Sequence, residues 1–328
     1  SWLWHWQLAD WLARPLLQWL LWSADAEHWW LLPAQTAASV LALFAALVLL
    51  AFGWRRVPLV PLTALLFVPA FSAGRFDSSQ VRLHLIDVGQ GTALLLQQGR
   101  RGLLYDAGPR YGDFSATEAY VMPYLQYQGI SQLDYLLLSH ADADHTGDYR
   151  KLLQSYPHTA LLADFATGLT QQPCSSLPPF WRQARLRSER FGLDTSSNDG
   201  SCWLQLSWAG WTFLASGDSG QAAELRYLQH NWGKADFLLL GHHGSNSSSG
   251  LEFLQQLSPL MALNSAGALN SYGHPHADVQ ARLALLQIPL LDTGQQGAIE
   301  LRFRAAEVEI WLYRQRLWPL WLRNSAAL

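Results

Sequence analysis

The sequence predicts an α/β sandwich preceded by membrane-crossing helices, and three observations lead there. From residue 80 onward, short apolar strands alternate with single helices, the pattern of two sheets with helices outside them. Residues bearing imidazole and carboxylate recur just past those strands, where layered sheet folds carry their working loops. Before residue 80 lie two uncharged runs, the first about as long as a bilayer requires and the second shorter.

Composition supports this division. Of 328 residues, 50% are hydrophobic and 14% charged, and 17 are Trp. The formal net charge of -3 gives no overall basic signature for nucleic acid, so DNA would have to be drawn by a local groove. Trp2, Trp4, Trp6, Trp11, Trp19, Trp22, Trp29 and Trp30 mark residues 1–32 as a segment lying at a membrane–water interface. Residues 36–54 carry no charge. After Arg55 and Arg56, residues 57–72 are again uncharged, though Pro58, Pro61 and Pro69 would kink a helix there. A transmembrane hairpin is therefore expected over 33–73, with the Arg pair on the cytoplasmic side and everything after Ala73 outside it. A buried pair of core helices is the competing reading. The chain opens on Ser1 rather than Met, so a piece of a longer protein is expected. The sandwich domain is placed over 80–315, followed by a tail over 316–328.

Strands are expected over 81–87, 92–97, 102–105, 133–138 and 160–164, with helices over 117–128 and 147–155. Residues 173–198, rich in Ser, Pro and Arg, read as an irregular exposed excursion. Beyond it, residues 203–208 and 211–216 form a hairpin around Ala209 and Gly210. Strands follow over 235–240 and 260–264, helices over 221–229, 251–257 and 277–285, and a final hairpin over 298–304 and 308–313. Cys174 and Cys202 form no CxxC metal pattern. In an oxidising compartment they would close the excursion as a disulfide; otherwise they are two buried thiols.

One stretch organises the chemistry. Ser139-His140-Ala141-Asp142-Ala143-Asp144-His145 follows the apolar run Tyr135-Leu136-Leu137-Leu138. Packing gives no reason for four ionisable groups at the mouth of a buried strand, because burying unpaired charge is expensive. A divalent cation removes that cost, since carboxylate and neutral imidazole are its ligands. A polar turn capped by Asp144 or Thr146 is the alternative. Further candidates end other strands: Asp106 after Leu103-Leu104-Tyr105, Asp218 after Leu214-Ala215-Ser216-Gly217, His242 and His243 after Leu238-Leu239-Leu240-Gly241, and His274 in Tyr272-Gly273-His274-Pro275-His276.

Asp106-Ala107-Gly108, the His140 to His145 cluster, Gly217-Asp218 and His242-His243-Gly244-Ser245 stand in the order of the metallo-β-lactamase superfamily, which the chain resembles. With Leu85-Ile86-Asp87-Val88-Gly89-Gln90-Gly91 and Tyr272-Gly273-His274-Pro275 added, the pattern over roughly residues 80–315 is similar to the ComEC family of competence channel proteins. The resemblance implies an αβ/βα four-layer sandwich with a metal site at the shared edge of its sheets. It makes His140, Asp142, Asp144 and His145 metal ligands, Asp218 the carboxylate bridging two ions, and His243 the ligand closing the second ion's shell. His242 would then hydrogen-bond substrate phosphate. His274 would be a substrate-side acid or a structural residue of a tight turn, and Asp106 would orient a ligand loop.

Two departures from the superfamily pattern bear on the metal. Asp142 stands where the superfamily usually has His, and the further His expected before the bridging carboxylate has no match; His158 is not given that role. The shell of His140, Asp142 and Asp218 is thus harder, favouring Mn²⁺ or Mg²⁺ over what a three-His zinc site would take, so two divalent ions, Mn²⁺ or Zn²⁺ with Mg²⁺ possible, are expected. Two ions about 3.5–4 Å apart suit phosphodiester hydrolysis, with Asp144 holding the attacking water. The resemblance implies a multi-pass protein of the inner membrane with its hydrolase domain on the outer face. It would act on single- or double-stranded DNA during transformation, beside the rest of the channel and other DNA-uptake proteins. Two alternatives remain: a catalytically weak module that binds DNA or gates the channel, and a small-molecule phosphodiesterase. Lys151, Arg182, Arg185, Arg187 and Arg190 are the candidate phosphate-backbone contacts.

Overall fold

The computed structural model describes residues 80–192, 198–230, 232–305 and 307–314. The expected interfacial segment, transmembrane hairpin and tail lie outside the described residues. Among those described, no helix is long and apolar enough to cross a membrane.

Two seven-stranded sheets form the body. The first contains β1 (Val81–Leu85), β2 (Leu94–Gln98), β3 (Arg101–Tyr105), β6 (Gln132–Leu137), β7 (Ala160–Leu162), β15 (Ile299–Phe303) and β16 (Val308–Leu312), in the order β16-β15-β1-β2-β3-β6-β7. The second contains β8 (Phe180–Trp181), β9 (Ala184–Arg190), β10 (Cys202–Trp208), β11 (Trp211–Ala215), β12 (Phe237–Leu239), β13 (Met261–Asn264) and β14 (Leu290–Asp292), in the order β14-β13-β12-β11-β10-β9-β8. Each sheet has a parallel part, β3-β6-β7 in one and β11-β12-β13-β14 in the other, and is otherwise antiparallel. A small hairpin, β4 (Arg110–Tyr111) with β5 (Phe114–Ser115), stands apart from both.

Period-2 alternation sorts the strand residues into layers. Leu94, Leu96, Leu103 and Tyr105 face Leu204, Leu206, Phe213 and Leu239 between the sheets. Their neighbours Leu95, Leu104 and Leu136 turn outward to meet Val121, Leu125 and Leu152. Those residues come from a π-helical turn at Thr117–Val121, α1 (Met122–Tyr127) and α3 (Tyr149–Ser155). On the far side, Trp203, Leu214, Leu238 and Ala262 pack under α4 (Gln221–Gln229), α5 (Leu251–Leu257) and α6 (Ala277–Leu285). Trp203 stacks on Tyr227 of α4 at 4.9 Å between ring centroids. The result is a helix–sheet–sheet–helix sandwich, the metallo-β-lactamase α/β fold. Two single turns complete it, α2 (Ala143–Thr146) and α7 (Thr293–Gln296).

The structure corrects the sequence reading in the excursion. Residues 184–190 are not irregular: β9 pairs antiparallel with β10 along its length. Ala184, Leu186 and Ser188 point inward while Arg185 and Glu189 are exposed. Short, three-residue β14 and the β4–β5 hairpin were not expected either. Cys174 and Cys202 are joined in a disulfide whose α-carbons lie 6.2 Å apart.

Candidate metal centre

Strand ends deliver the site. Asp106 follows β3, His140 follows β6, Asp218 follows β11, His242 and His243 follow β12, and Ser265 follows β13. Asp144 and His145 come from α2, which the β6 loop turns into directly. Gly91 lets the chain pass this turn: at φ +138° it lies against the Asp144 carbonyl, and an added methyl carbon would overlap that oxygen.

Asp218 sits at the middle, with a side chain only 4% exposed. Its Oδ1 is 3.0 Å from His145 Nε2. Its Oδ2 faces three imidazoles, His243 Nε2 at 3.6 Å, His242 Nε2 at 3.7 Å and His140 Nε2 at 3.9 Å. Asp144 Oδ2 lies 3.2 Å from His243 Nε2, and Asp142 Oδ2 lies 3.5 Å from His140 Nε2. One ligand atom from each of Asp144, His145, Asp218 and His243 falls within 4.8 Å of the others, a group able to hold a metal ion. Asp164, Cys174 and Cys202 also cluster, but sulfurs joined to each other offer no thiolate.

Each imidazole is aimed by a partner on its other nitrogen. Buried Asp106 takes His145 Nδ1 at 2.7 Å and also accepts the Ser139 amide at 2.7 Å and hydroxyl at 2.8 Å. The Ser265 carbonyl takes His243 Nδ1 at 2.9 Å. Ser139 Oγ lies 2.9 Å and Ser201 Oγ 3.3 Å from His140 Nδ1. These contacts direct all three Nε2 atoms inward, the arrangement that metal-ligating histidines show. His140 Nε2 is buried and has no hydrogen-bond partner. A buried imidazole nitrogen left open beside two carboxylates fits a cation in a way that it fits no packing role.

Electrostatics agree. Burial alone would raise the pKa of Asp218, but His145 and His243 beside it hold the carboxyl well below the usual range. Burial would lower His145; Asp218 and Asp106 override it and push His145 well above its ordinary value. Burial and neighbouring His145 lower His140. The two acids around this fully buried imidazole make a field suited to a cation, which a metal ion would supply in place of a proton. All the protein donors are nitrogen and oxygen, which suits borderline to hard divalent metals.

The remaining site residues line the opening. Asp144 is 26% and His242 31% exposed at the side chain. Both His242 and His243 adopt positive φ, 50° and 56°, and their rings, 6.2 Å apart and inclined by 68°, both turn Nε2 toward Asp218 Oδ2. His242 Nδ1 meets Ser247 Oγ at 3.1 Å, and Asn198 Nδ2 meets its Nε2 at 3.4 Å. His274 does not reach Asp218. Its ring lies 6.1 Å from that of His242, and its Nδ1 is 3.4 Å from Gln90 Nε2. His158 is exposed, and His276 caps α6 by accepting the Asp278 amide. The basic candidates are partly engaged: Arg190 pairs with Asp164 at 2.7 Å and Lys151 with Glu118 at 2.6 Å. Ser139, Ser201 and Ser265, which position the ligands, escaped the sequence reading. Of these only Ser139, adjoining His140, stood inside a motif.

A family model for the metallo-β-lactamase superfamily matches residues 86–164. The chain is 32% identical over 307 residues to competence protein ComA of Neisseria gonorrhoeae, covering 90% of this chain and 43% of that protein. It is 30% identical over 244 residues to recombination protein 2 of Haemophilus influenzae, covering 73% and 31%. To ComE operon protein 3 of Bacillus subtilis it is 31% identical over 262 residues, covering 69% and 34%. Fold and imidazole–carboxylate centre together define a metallo-β-lactamase-type protein equipped for divalent metal. More particularly, the chain belongs to the ComEC family of competence proteins. It spans between about a third and two-fifths of the length of these relatives.

Proposed function

We propose that the chain is the metal-dependent hydrolase part of a DNA-uptake protein, cleaving phosphodiester bonds in DNA. The convergence of Asp144, His145, Asp218 and His243, with His140 Nε2 open beside them, carries this reading. His140, Asp142 and Asp218 would hold one divalent ion, and Asp144, His145, Asp218 and His243 the other. Bound there, such ions polarise a phosphate oxygen and make water acidic enough to supply hydroxide near neutral pH.

The chain's own residues divide the remaining work. Asp144, partly open to the cleft, accepts the proton of the attacking water. His242, the most open imidazole around Asp218, donates a hydrogen bond to a phosphate oxygen as charge develops. Ser247 holds its ring through Nδ1, and the phosphate oxygen would take the place of Asn198 Nδ2 at its Nε2. His274, its ring 6.1 Å from that of His242, would serve the leaving-group side. Asp106 keeps Nε2 of His145 directed at the centre. Uncharged runs at 36–54 and 57–72 support a membrane tether, and the Arg55-Arg56 pair between them would put this domain on the outer face.

Purified chain supplied with Mn²⁺ is expected to shorten single- or double-stranded DNA, and Asp144→Asn to slow it by at least about a hundredfold. Intact DNA in the presence of bound metal would overturn the hydrolase reading.

A further inference from the structure

Exposed aromatic side chains crowd one part of the surface. Tyr111 is 51%, Phe114 43%, Tyr120 46% and Tyr272 66% exposed. Scattered apolar residues on a surface are ordinary, but these lie around the metal centre. The β4–β5 hairpin carrying Tyr111 and Phe114 packs against α2, the turn that supplies Asp144 and His145. Tyr111 and Phe114 are cross-strand partners, and the Phe114 ring lies 5.9 Å from that of Tyr120.

Tyr272 belongs to the segment that carries His274. Its ring stacks on that of His274, 5.7 Å apart and inclined by 26°. Gln90 links the two segments, accepting the Tyr111 hydroxyl on its carbonyl at 3.3 Å and meeting His274 with its side chain. Partial burial, then the Asp144 carboxylate, then the Tyr272 phenol raise the pKa of Tyr111, which places all three groups within one electrostatic neighbourhood. The turns beside both phenols are open: a methyl group added at Gly112 or at Gly273 would meet nothing within 4 Å.

Two exposed phenols, linked through Gln90 and His274 near a phosphate-directed centre, match one ligand chemistry. Every nucleobase has a flat face that stacks on an aromatic ring regardless of sequence. In a duplex those faces are covered by neighbouring pairs, so only an unpaired base can insert. Cations are not prominent here, since Arg110, next to Tyr111, faces Asp148 at 3.6 Å. Stacking rather than charge is then the main source of grip.

We propose that Tyr111 and Tyr272 hold an unpaired nucleobase beside the metal centre, making the site selective for single-stranded DNA. The proposal rests on the reading of the chain as acting on DNA. Its test is fluorescence anisotropy with the 328-residue chain, Mn²⁺ and cleavage-resistant phosphorothioate strands: oligothymidylate, an abasic strand of equal length, and a duplex. The base-bearing strand is expected to bind at least about tenfold more tightly than the abasic strand or the duplex. Tyr272→Ala is expected to weaken the base-bearing strand roughly 5- to 150-fold, the range of one stacked base. The abasic affinity should change less than about twofold, and Tyr272→Phe should restore binding. Unaltered metal content and circular dichroism exclude misfolding as the cause. Equal binding of base-bearing and abasic strands by the wild type overturns the aromatic clamp and leaves the DNA reading standing. Absence of binding to all three overturns both.

Discussion

Asp106 Oδ2 lies 2.7 Å from Nδ1 of His145, and both side chains are fully buried. Asp106 holds φ at +59°, a region that Asn tolerates better than most residues. Asp106→Asn should therefore keep the backbone and lose the charge that orients His145. Metal affinity is expected to fall about 10- to 100-fold, read by calorimetric titration with Mn²⁺. Affinity equal to wild type would show that His145 needs no carboxylate behind it.

Gly91 makes a second, steric connection to the same turn. A methyl group there would overlap the Asp144 carbonyl and come within 2.9 Å of Pro109 Cδ. The Gly91 φ of +138° also disfavours any side chain. Gly91→Ala is expected to cost at least about 2 kcal/mol in chemical denaturation and to weaken metal binding by displacing Asp144. A stable variant that binds metal normally would contradict the close packing of these segments.

The disulfide bears on the centre as well as on stability. Cys202 donates its amide to the Ser139 carbonyl at 2.8 Å. Its neighbour Ser201 contacts His140 and accepts the Asp218 amide at 3.1 Å. Closing a loop of 28 residues is worth about 3–4 kcal/mol in a chain-entropy account. Cys174→Ala with Cys202→Ala should lose stability of that order and also bind metal more weakly. Loss of stability with wild-type metal affinity would confine the bridge to a structural role.

Two buried groups tilt stability with pH in opposite directions. Burial, opposed by Glu300, lowers the pKa of His84 from 6.5 to about 4. Between those values the unfolded chain binds a proton that the folded chain refuses, so stability falls as pH drops, by about 3 kcal/mol in all. Burial raises Glu224 from 4.5 to about 7 despite hydrogen bonds from the Ser249 and Gly250 amides. There the folded chain binds the extra proton, and stability falls as pH rises through that window. In urea titrations at about pH 5 and about pH 8, His84→Gln should gain stability at the lower pH relative to wild type. Glu224→Gln should gain at the higher. Parallel pH profiles for the two variants would contradict this assignment.

Much of the scaffold was legible because period 2 and helix punctuation were clean. The three helices on the far side, Gln221–Gln229, Leu251–Leu257 and Ala277–Leu285, begin and end where the sequence placed them. Strand β9 was hidden by its surroundings. Its Ala184, Leu186 and Ser188 alternate properly, but small and polar inward residues gave a weak signal inside a stretch full of Ser, Pro and Arg. Strand β14, with three residues, is too short to show any period.

The site residues stood out as a motif, yet their geometry did not. The sequence set His242 and His243 side by side; only the fold, with positive φ at both, shows that both turn Nε2 toward Asp218 Oδ2. Contacts from Ser201 and the Ser265 carbonyl depend on strands distant in sequence and carry no local signature. Tyr111 and Tyr272 adjoined recognisable motifs, but the link between them through Gln90 and His274 comes from the fold alone.

Metal content of the purified chain, measured by elemental analysis after dialysis against Mn²⁺, tests the central claim most directly. Wild type should retain two ions per chain, and Asp218→Asn, deprived of the carboxylate between them, at most one. A wild-type chain without bound metal, or an Asp218→Asn chain holding as much as wild type, would contradict the shared centre on which the account rests.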